Sequence, residues 1–439
     1  MSLTVENVRC FGPKQTLDLS DGNAKPAAWT IILGLNGTGK TTVLQALAGF
    51  DRLRRPVIGT GPNKGPTPRL FDPALTSVFN FRRTLSDQVA SLSIRFSVSN
   101  SISGAVLTTE SSDFEVNTGS AHLGLIGGID PPWCCGYGAS RRMGATSLTE
   151  SGADDATATL FSDKSDLRNP EEWLLWLDYA AAKNGDEVKH RRARLAQARE
   201  VLLGVFPKDE LRDIRFVTAE GTNPTSRVEF KTPFGWVPLR QLGYGYQTLI
   251  TWVADLANRM VERYPDSPNP LAEPAVVLVD EIDLHLHPVW QRKLMGFLSE
   301  RFPNTQFIAT AHSPLVAQAA ANANLAVLRR EGDHVVIDND VDNIRNWRVD
   351  QILTSDLFGL KTARPPQIEA WLEERQTLLS KPKLTAADQR RVKELEELIG
   401  ELPFGETHQE MSERQEIRKT LDLLLKECRP TDDPHKPAK

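Results

Sequence analysis

Cysteine is scarce. Cys10, Cys134, Cys135 and Cys428 are the only four in 439 residues. They have neither zinc-site spacing nor the framework of a disulfide scaffold, so reduced thiols in a cytoplasmic protein are expected. No apolar run approaches the roughly 20 residues of a spanning helix. No basic stretch followed by an apolar core opens the chain, so no secretory leader is expected. Positive charge is not in excess: the formal net charge is -5. Any nucleic-acid contact must therefore be a local patch. Sustained heptads are missing too, which excludes a long coiled-coil arm. What remains is 40% hydrophobic and 25% charged, ordinary globular material for roughly two or three domains.

Against that background one stretch carries clear chemistry. Gly34-Leu35-Asn36-Gly37-Thr38-Gly39-Lys40-Thr41 reads G-x-x-x-x-G-K-T. The apolar run Trp29–Leu33 precedes it and the helically spaced Thr42–Ala48 follows, with Gly49 as its expected stop. Strand, glycine loop and helix together are the context in which this motif cradles phosphate. Backbone N–H groups and the helix N-terminus face the anion. Lys40 would reach the β- and γ-phosphates, and the Thr41 hydroxyl would hold Mg²⁺.

Two later stretches complete an ATP site. Ala275–Val279 is a continuous β-branched run of the kind found in buried parallel strands, and it ends in Asp280-Glu281. Asp280 would support the Mg²⁺ shell, and Glu281 would polarise the attacking water. Gln306–Thr310 is a further strand ending in Ala311-His312-Ser313-Pro314. A histidine there lies where α/β sheets bind ligands, in reach of a γ-phosphate. Elsewhere the readings are more open. Phe11 is either an aromatic beside an adenine ring or a core residue. Arg141-Arg142 either meets phosphate or forms a solvated pair.

Gly34 to Thr41, Val277 to Pro288 and Thr310 to Pro314 together resemble the ABC-type ATPase heads of the RecF/SMC/OLD branch. Within it they are most similar to the AAA family ATPases of bacterial antiphage defence, the Septu and retron-associated ATPases. Tyr137 to Arg142 is similar to a segment those proteins carry, and the resemblance spans roughly residues 1 to 330. It implies an α/β P-loop ABC-type head, a mixed sheet with flanking helices, plus a helical insertion lobe and a helical C-terminal tail. It implies ATP and Mg²⁺ as cofactors and a homo-dimer or higher homo-oligomer. Glu281 and His312 would be catalytic. Asn36, Gly37, Thr38, Gly39, Lys40, Thr41 and Thr42 would bind nucleotide, and Thr41 and Asp280 would bind metal. A signature motif at Leu242 to Gln247 would cap the partner's ATP through Gly243 and Gly245, although Gly243 stands where the family has serine. Asp283, His285 and His287 would follow the dimer seam. The implied partner is a separate effector such as an HNH nuclease, with DNA contact possible and no membrane. The alternative is a RecF/SMC-like DNA-binding ATPase of repair or chromosome maintenance.

The expected domains are 1–143 and 236–338 as the two ATPase lobes, 144–235 as an insertion and 339–439 as a helical tail. Thr41 and Asp280 lie 239 positions apart, room for a short lobe. In the first lobe Leu3–Val8 pairs with Leu17–Leu19, and Leu92–Val98 with Ala105–Thr108. Arg52–Pro73 reads as a surface loop and 144–168 as a flexible excursion. Glu171–Ala182 and His190–Val205 are helices. The second is basic at its start, a solvated face or a DNA contact. Leu325–Leu328 and His334–Ile337 form a hairpin. Asp338, Asp340 and Asp342 read as a solvated loop. In the tail Thr385 and Asp388 make a capping box, and stripes through Trp371, Leu395 and Leu421 suggest a docking element or packing on the head.

Overall fold

The computed structural model describes residues 2–22, 25–54, 91–98, 101–102, 105–106, 110–117, 133–144, 155–184, 188–218, 226–320, 322–341, 344, 347–355 and 357–400. The described chain divides into a first unit, Met1–Phe358, and a second, Gly359–Lys439.

In chain order the strands of the first unit are β1 (Ser2–Glu6), β2 (Gln15–Asp18), β3 (Trp29–Gly34), β4 (Ser91–Val98), β5 (Ser101–Ile102), β6 (Ala105–Val106), β7 (Glu110–Asn117), β8 (Cys134–Tyr137), β9 (Ile214–Val217), β10 (Arg227–Thr232), β11 (Gly235–Pro238), β12 (Ala275–Val279), β13 (Thr305–Thr310), β14 (Asn324–Glu331) and β15 (His334–Asp338). Its helices are α1 (Lys40–Arg54), α2 (Ala158–Phe161), α3 (Pro170–Ala182), α4 (Val188–Gly204), α5 (Tyr244–Arg263), α6 (Pro288–Arg301), α7 (Pro314–Ala319) and α8 (Val349–Leu353).

A six-stranded sheet of order β15-β14-β3-β13-β12-β8 organises this unit. All its pairings are parallel except the β14–β15 hairpin. Its central strands are buried on both faces, and their side chains split between two cores by the two-residue period of a strand. Ile31, Leu33, Val277, Val279, Phe307 and Ala309 face one core with Trp173, Leu177 and Trp252 of α3 and α5. Ile32, Val276, Leu278 and Ile308 face the other with Val43 and Leu44 of α1 and Leu3, Val5 and Leu17 of β1 and β2. Helix α5 is buried from Thr248 through Met260. Burial on every side of a helix is tolerated only if its polar groups are paired. Accordingly Asp255 accepts from Arg259 Nε at 2.7 Å and from the Tyr137 hydroxyl at 3.0 Å. Burial and the Asp255 charge push the Tyr137 phenol well above its usual range.

A four-stranded antiparallel sheet, β2-β1-β4-β7, and a three-stranded one, β11-β10-β9, accompany the central sheet. The hairpin of β1 with β2 forms as the sequence predicts. Ala105–Thr108 is not the partner of β4. That edge is taken by β7, in register from Ser91 opposite Asn117 to Val98 opposite Glu110, while Ala105-Val106 pairs with Ser101-Ile102. Helix α1 continues past Gly49 to Arg54. One interior glycine costs about 1 kcal/mol, which a buried helix outweighs. The expected flexible excursion is also corrected over 155–168. Leu160 is buried, Thr157 and Asp155 form a hydrogen-bonded turn, and Leu167 N donates to Arg142 O at 2.9 Å. Residues 145–154 lie outside the described residues, as do 55–73 of the expected surface loop.

The second unit contains a helical hairpin, α9 (Pro366–Leu379) and α10 (Ala386–Ile399). Thr385 caps α10 as predicted. Its Oγ1 accepts from Asp388 N at 3.2 Å, and Asp388 Oδ2 accepts from Thr385 N at 2.9 Å. Leu395 is buried, and Arg391 clasps Glu374 through two hydrogen bonds. The expected stripe through Ile417, Leu421, Leu424 and Leu425 lies outside the described residues, as does Asp342. Asp338 ends β15 in an ion pair with Arg329 at 3.2 Å. Among the described residues no helix is long and apolar enough to cross a membrane.

Candidate active site

Strands β3, β8, β12 and β13 run parallel, so their carboxyl ends meet at one sheet edge, where such sheets bind ligands. The loops leaving that edge are Leu35–Gly39, Gly138–Arg141, Asp280-Glu281 and Ala311-His312. Register fixes their relative height: Ile32 pairs with Thr310, and Val279 with both Ala309 and Tyr137.

A cavity of about 340 Å³ opens there, lined by Arg9, Cys10, Asn36, Gly37, Gly39, Lys40, Thr41, Thr42, Asp280, Glu281 and His312. Four stretches far apart in sequence thus converge on one space. Thr38 belongs to the same loop but turns inward, its hydroxyl donating to Leu35 O at 2.8 Å. Lys40 Nζ donates to Gly34 O at 2.8 Å and Leu35 O at 2.9 Å, so the loop's own carbonyls hold the ammonium. Burial lowers its pKa, opposed by Asp280, Glu281 and Asp283. Gly39 has φ +86, and a Cβ there would meet Cys10 Sγ at 2.4 Å and Phe11 Cε2 at 3.0 Å. Only glycine fits both the backbone and the contact. Phe11 is fully buried against that loop, which makes it a core aromatic.

Asp280 is held from two sides. The Thr41 hydroxyl donates to its Oδ2 at 2.7 Å, and the Thr310 hydroxyl donates to its Oδ1 at 2.6 Å. Thr310 Oγ1 also accepts from Glu281 N at 2.7 Å. Glu281 has φ +49, a left-handed backbone that a glutamate rarely adopts. Its carbonyl accepts from Arg141 Nη2 at 2.7 Å. Asp283 Oδ2 accepts from His312 N at 3.0 Å, tying the histidine loop to the acidic loop. Replacing Thr310 with valine keeps the volume but leaves the Glu281 N–H and an Asp280 oxygen unpaired, a penalty of about 1–3 kcal/mol. The expected result is a lower melting temperature. An unchanged melting temperature in the variant would remove Thr310 from this role.

Two cationic residues depart from the sequence reading. Arg141 is not half of a solvated pair, and it does not line the cavity. It is buried beneath the acidic loop, and among the described residues its Nε finds no hydrogen-bond acceptor. Burial pushes its pKa down to about 10, against the attraction of Asp280, Asp283 and Glu281, so it remains a cation at neutral pH. Arg142 turns away to Asp166 at 3.3 Å. Arg9, by contrast, belongs to no recognisable motif and yet lines the cavity, donating to Thr42 Oγ1 at 3.1 Å and Gln45 Oε1 at 2.8 Å. Its signal was spatial rather than local, because the turn between β1 and β2 folds back over the glycine loop.

Gly243 and Gly245 do not line this cavity. Gly243 is exposed at the N-terminus of α5. A Cβ on Gly245 would meet His285 O at 2.4 Å, so the first turn of α5 rests directly on the loop after Glu281. Tyr244 and His285 stack edge to face at 4.7 Å. His287 caps α6, its Nδ1 accepting from Val289 N at 3.3 Å.

Residues 140–317 match the family model described as "AAA domain, putative AbiEii toxin, Type IV TA system", and residues 2–50 match a second AAA domain model. The chain is similar to the "Retron Ec83 probable ATPase" of Escherichia coli, 34% identical over 154 residues, 35% of this chain and 27% of that protein. It is similar to the "Septu protein PtuA" of Bacillus mycoides (strain KBAB4), 25% identical over 390 residues, 87% of this chain. It spans 48% of the length of that Septu protein. Among solved structures, the SMC head domain from Thermotoga maritima aligns with a TM-score of 0.38 at 14% identity, covering 77% of this chain and 98% of that one.

Proposed function

We propose that this chain, an α/β P-loop protein with AAA-type ATPase domains that resembles the Septu and retron ATPases, binds and hydrolyses ATP as a switch. In this reading it pairs with further copies of itself around the nucleotide and controls a separate effector, such as an HNH-type nuclease, in cytoplasmic antiphage defence. One observation carries the reading. The glycine loop with Lys40 and Thr41, the acidic pair Asp280-Glu281 and His312 all border one cavity.

The oxygens of Thr41 and Asp280 fit Mg²⁺. They face each other within hydrogen-bond distance, 2.7 Å. One hydroxyl and one carboxylate are the sparse hard-oxygen set of an ion that keeps waters and substrate phosphates as its other ligands. Bound there, the ion supplies neutralising charge at the β- and γ-phosphate oxygens. Lys40 would leave the loop carbonyls for those same oxygens. Glu281 would take a proton from water as the water oxygen bonds to the γ-phosphorus. The bond from that phosphorus to the bridging oxygen then breaks, giving ADP and phosphate. His312 would donate a hydrogen bond to the γ-phosphate. Among the described residues no side chain caps the exposed N-terminus of α5 at Gly243, and the N–H groups of such a first turn suit an anion held by a second copy. Because that turn packs on the loop after Glu281, hydrolysis in one copy would be felt where the other docks.

Light scattering of the purified chain tests the switch. Adding ATP with Mg²⁺ should raise the mass from 48.8 kDa to at least twice that value, and chelating the metal should reverse it. A mass that ignores saturating ATP would refute pairing around the nucleotide.

A further inference from the structure

Helices α3 and α4 pack through Trp173, Leu174, Leu177, Ala198, Val201 and Leu202. That burial accounts for one face of α3. A second face, spaced i, i+3, i+7, carries Trp176, Tyr179 and Lys183. Both aromatics are mostly in water, with relative exposures of 56% and 61%. Opposite them the first turns of α4 present His190, Arg191 and Arg194. These six residues border a groove of about 350 Å³.

The groove is chemically one-sided. Trp176 and Tyr179, with Leu177 and Ala180, form its apolar surface, and every charged side chain lining it is basic. Lys183 Nζ lies 4.4 Å above the Tyr179 ring, and Arg194 is anchored by a hydrogen bond from Nη2 to Pro265 O at 2.9 Å. The cationic row continues outside the groove with Lys189 and Arg192 on α4. In a chain whose net charge is -5, this is a concentrated exception. Exposed aromatic platforms beside a track of cations are what an unpaired strand of nucleic acid needs. Bases stack on the rings whatever their identity, and phosphates follow the charges. An isolated small anion would leave two aromatic platforms unused. An acidic protein segment would use the charges but gain little from flat rings standing in solvent.

We propose that the groove between α3 and α4 binds single-stranded nucleic acid, with bases on Trp176 and Tyr179 and phosphates on Lys183, Arg191 and Arg194. Neither helix contributes to the cavity at the sheet edge, so this site is separate from the proposed ATP chemistry.

The test is fluorescence anisotropy of a labelled oligothymidylate with the full chain, in the absence of any nucleoside triphosphate. Three phosphate contacts predict a salt slope near −2, or roughly a twentyfold loss of affinity between about 50 and 200 mM salt. Replacing both Trp176 and Tyr179 with alanine should weaken binding by about tenfold or more. Lys183→Glu should flatten the salt dependence by about 0.7 in the slope. Both aromatics are exposed, so the double variant should melt with the wild-type protein and retain its basal ATP turnover. If that variant unfolds, Lys183→Glu alone decides the matter. Salt-insensitive or absent binding by the wild type overturns the proposal, as does equal affinity in the aromatic double variant. It also falls if thymidine monophosphate binds as tightly as the oligomer, or if polyglutamate binds more tightly.

Discussion

Replacing Glu281 with glutamine should cut steady-state ATP turnover by about 10²–10⁴-fold while ATP binding stays near its wild-type level. The structure distinguishes the two neighbouring acids. Both oxygens of Asp280 already accept hydroxyl protons, from Thr41 and from Thr310. A carboxylate engaged in that way is suited to a metal shell and poorly placed to take a proton from water. Glu281 is fixed through its backbone instead, its N–H on Thr310 and its carbonyl on Arg141. Its side chain borders the cavity with those backbone groups already committed. Glutamine keeps the shape and the backbone contacts and removes only the basicity. Binding therefore survives and the proton transfer does not. Phosphate release and calorimetric titration of ATP, run side by side, check both halves. Under the proposed switch, in which hydrolysis releases the pair, the variant should also accumulate the ATP-paired form. Wild-type turnover in the variant would move the general base elsewhere.

Much of this site was legible in the chain because each part follows a local rule. The glycine loop is a fixed spacing between a strand and a helix. Ala275–Val279 reads as a buried parallel strand from composition, and an acid after such a strand has one place to go. The same rule carried Thr310 to His312. What escaped depended on partners distant in sequence. Arg141 looks like a phosphate contact or a solvated residue in a one-dimensional reading, since an arginine is seldom buried without a partner. Its burial is intelligible only once three carboxylate-bearing residues, Asp280, Glu281 and Asp283, are brought beside it. Arg9 is invisible for the same reason, and Phe11 could be assigned to the core only after Gly39 was seen against it. Residues 155–168 failed differently. Their composition is that of a loop, yet Thr159 Oγ1 donates to Gly136 O at 3.0 Å and accepts from Gly138 N at 3.1 Å. Short polar side chains can bind a segment to a strand end without any hydrophobic periodicity.

Arg141→Met should destabilise the first unit by about 3 kcal/mol and slow ATP turnover by at least about tenfold, because it removes one partner from a buried charge cluster. The methionine is of similar length and apolar, so packing is largely kept. Two things are lost. Asp280, Glu281 and Asp283 lose one of the two buried cations that attract them, Lys40 being the other, and like charges then oppose one another more strongly at the sheet edge. The Glu281 carbonyl loses its donor, which leaves the left-handed backbone at that residue less well held. The first loss acts on stability and the second on chemistry, and the two can be separated. Mg²⁺ with ATP brings positive charge to the same acids, so the difference in melting temperature between variant and wild type should shrink when both are present. The deficit in turnover should persist, because the ion does not replace a hydrogen bond to the Glu281 carbonyl. Arg141→Lys, which keeps the charge on a shorter side chain with a different donor geometry, should recover more stability than turnover. Equal recovery of both would mean that Arg141 acts through its charge alone, and that the strained backbone at Glu281 is held by Thr310 without its help.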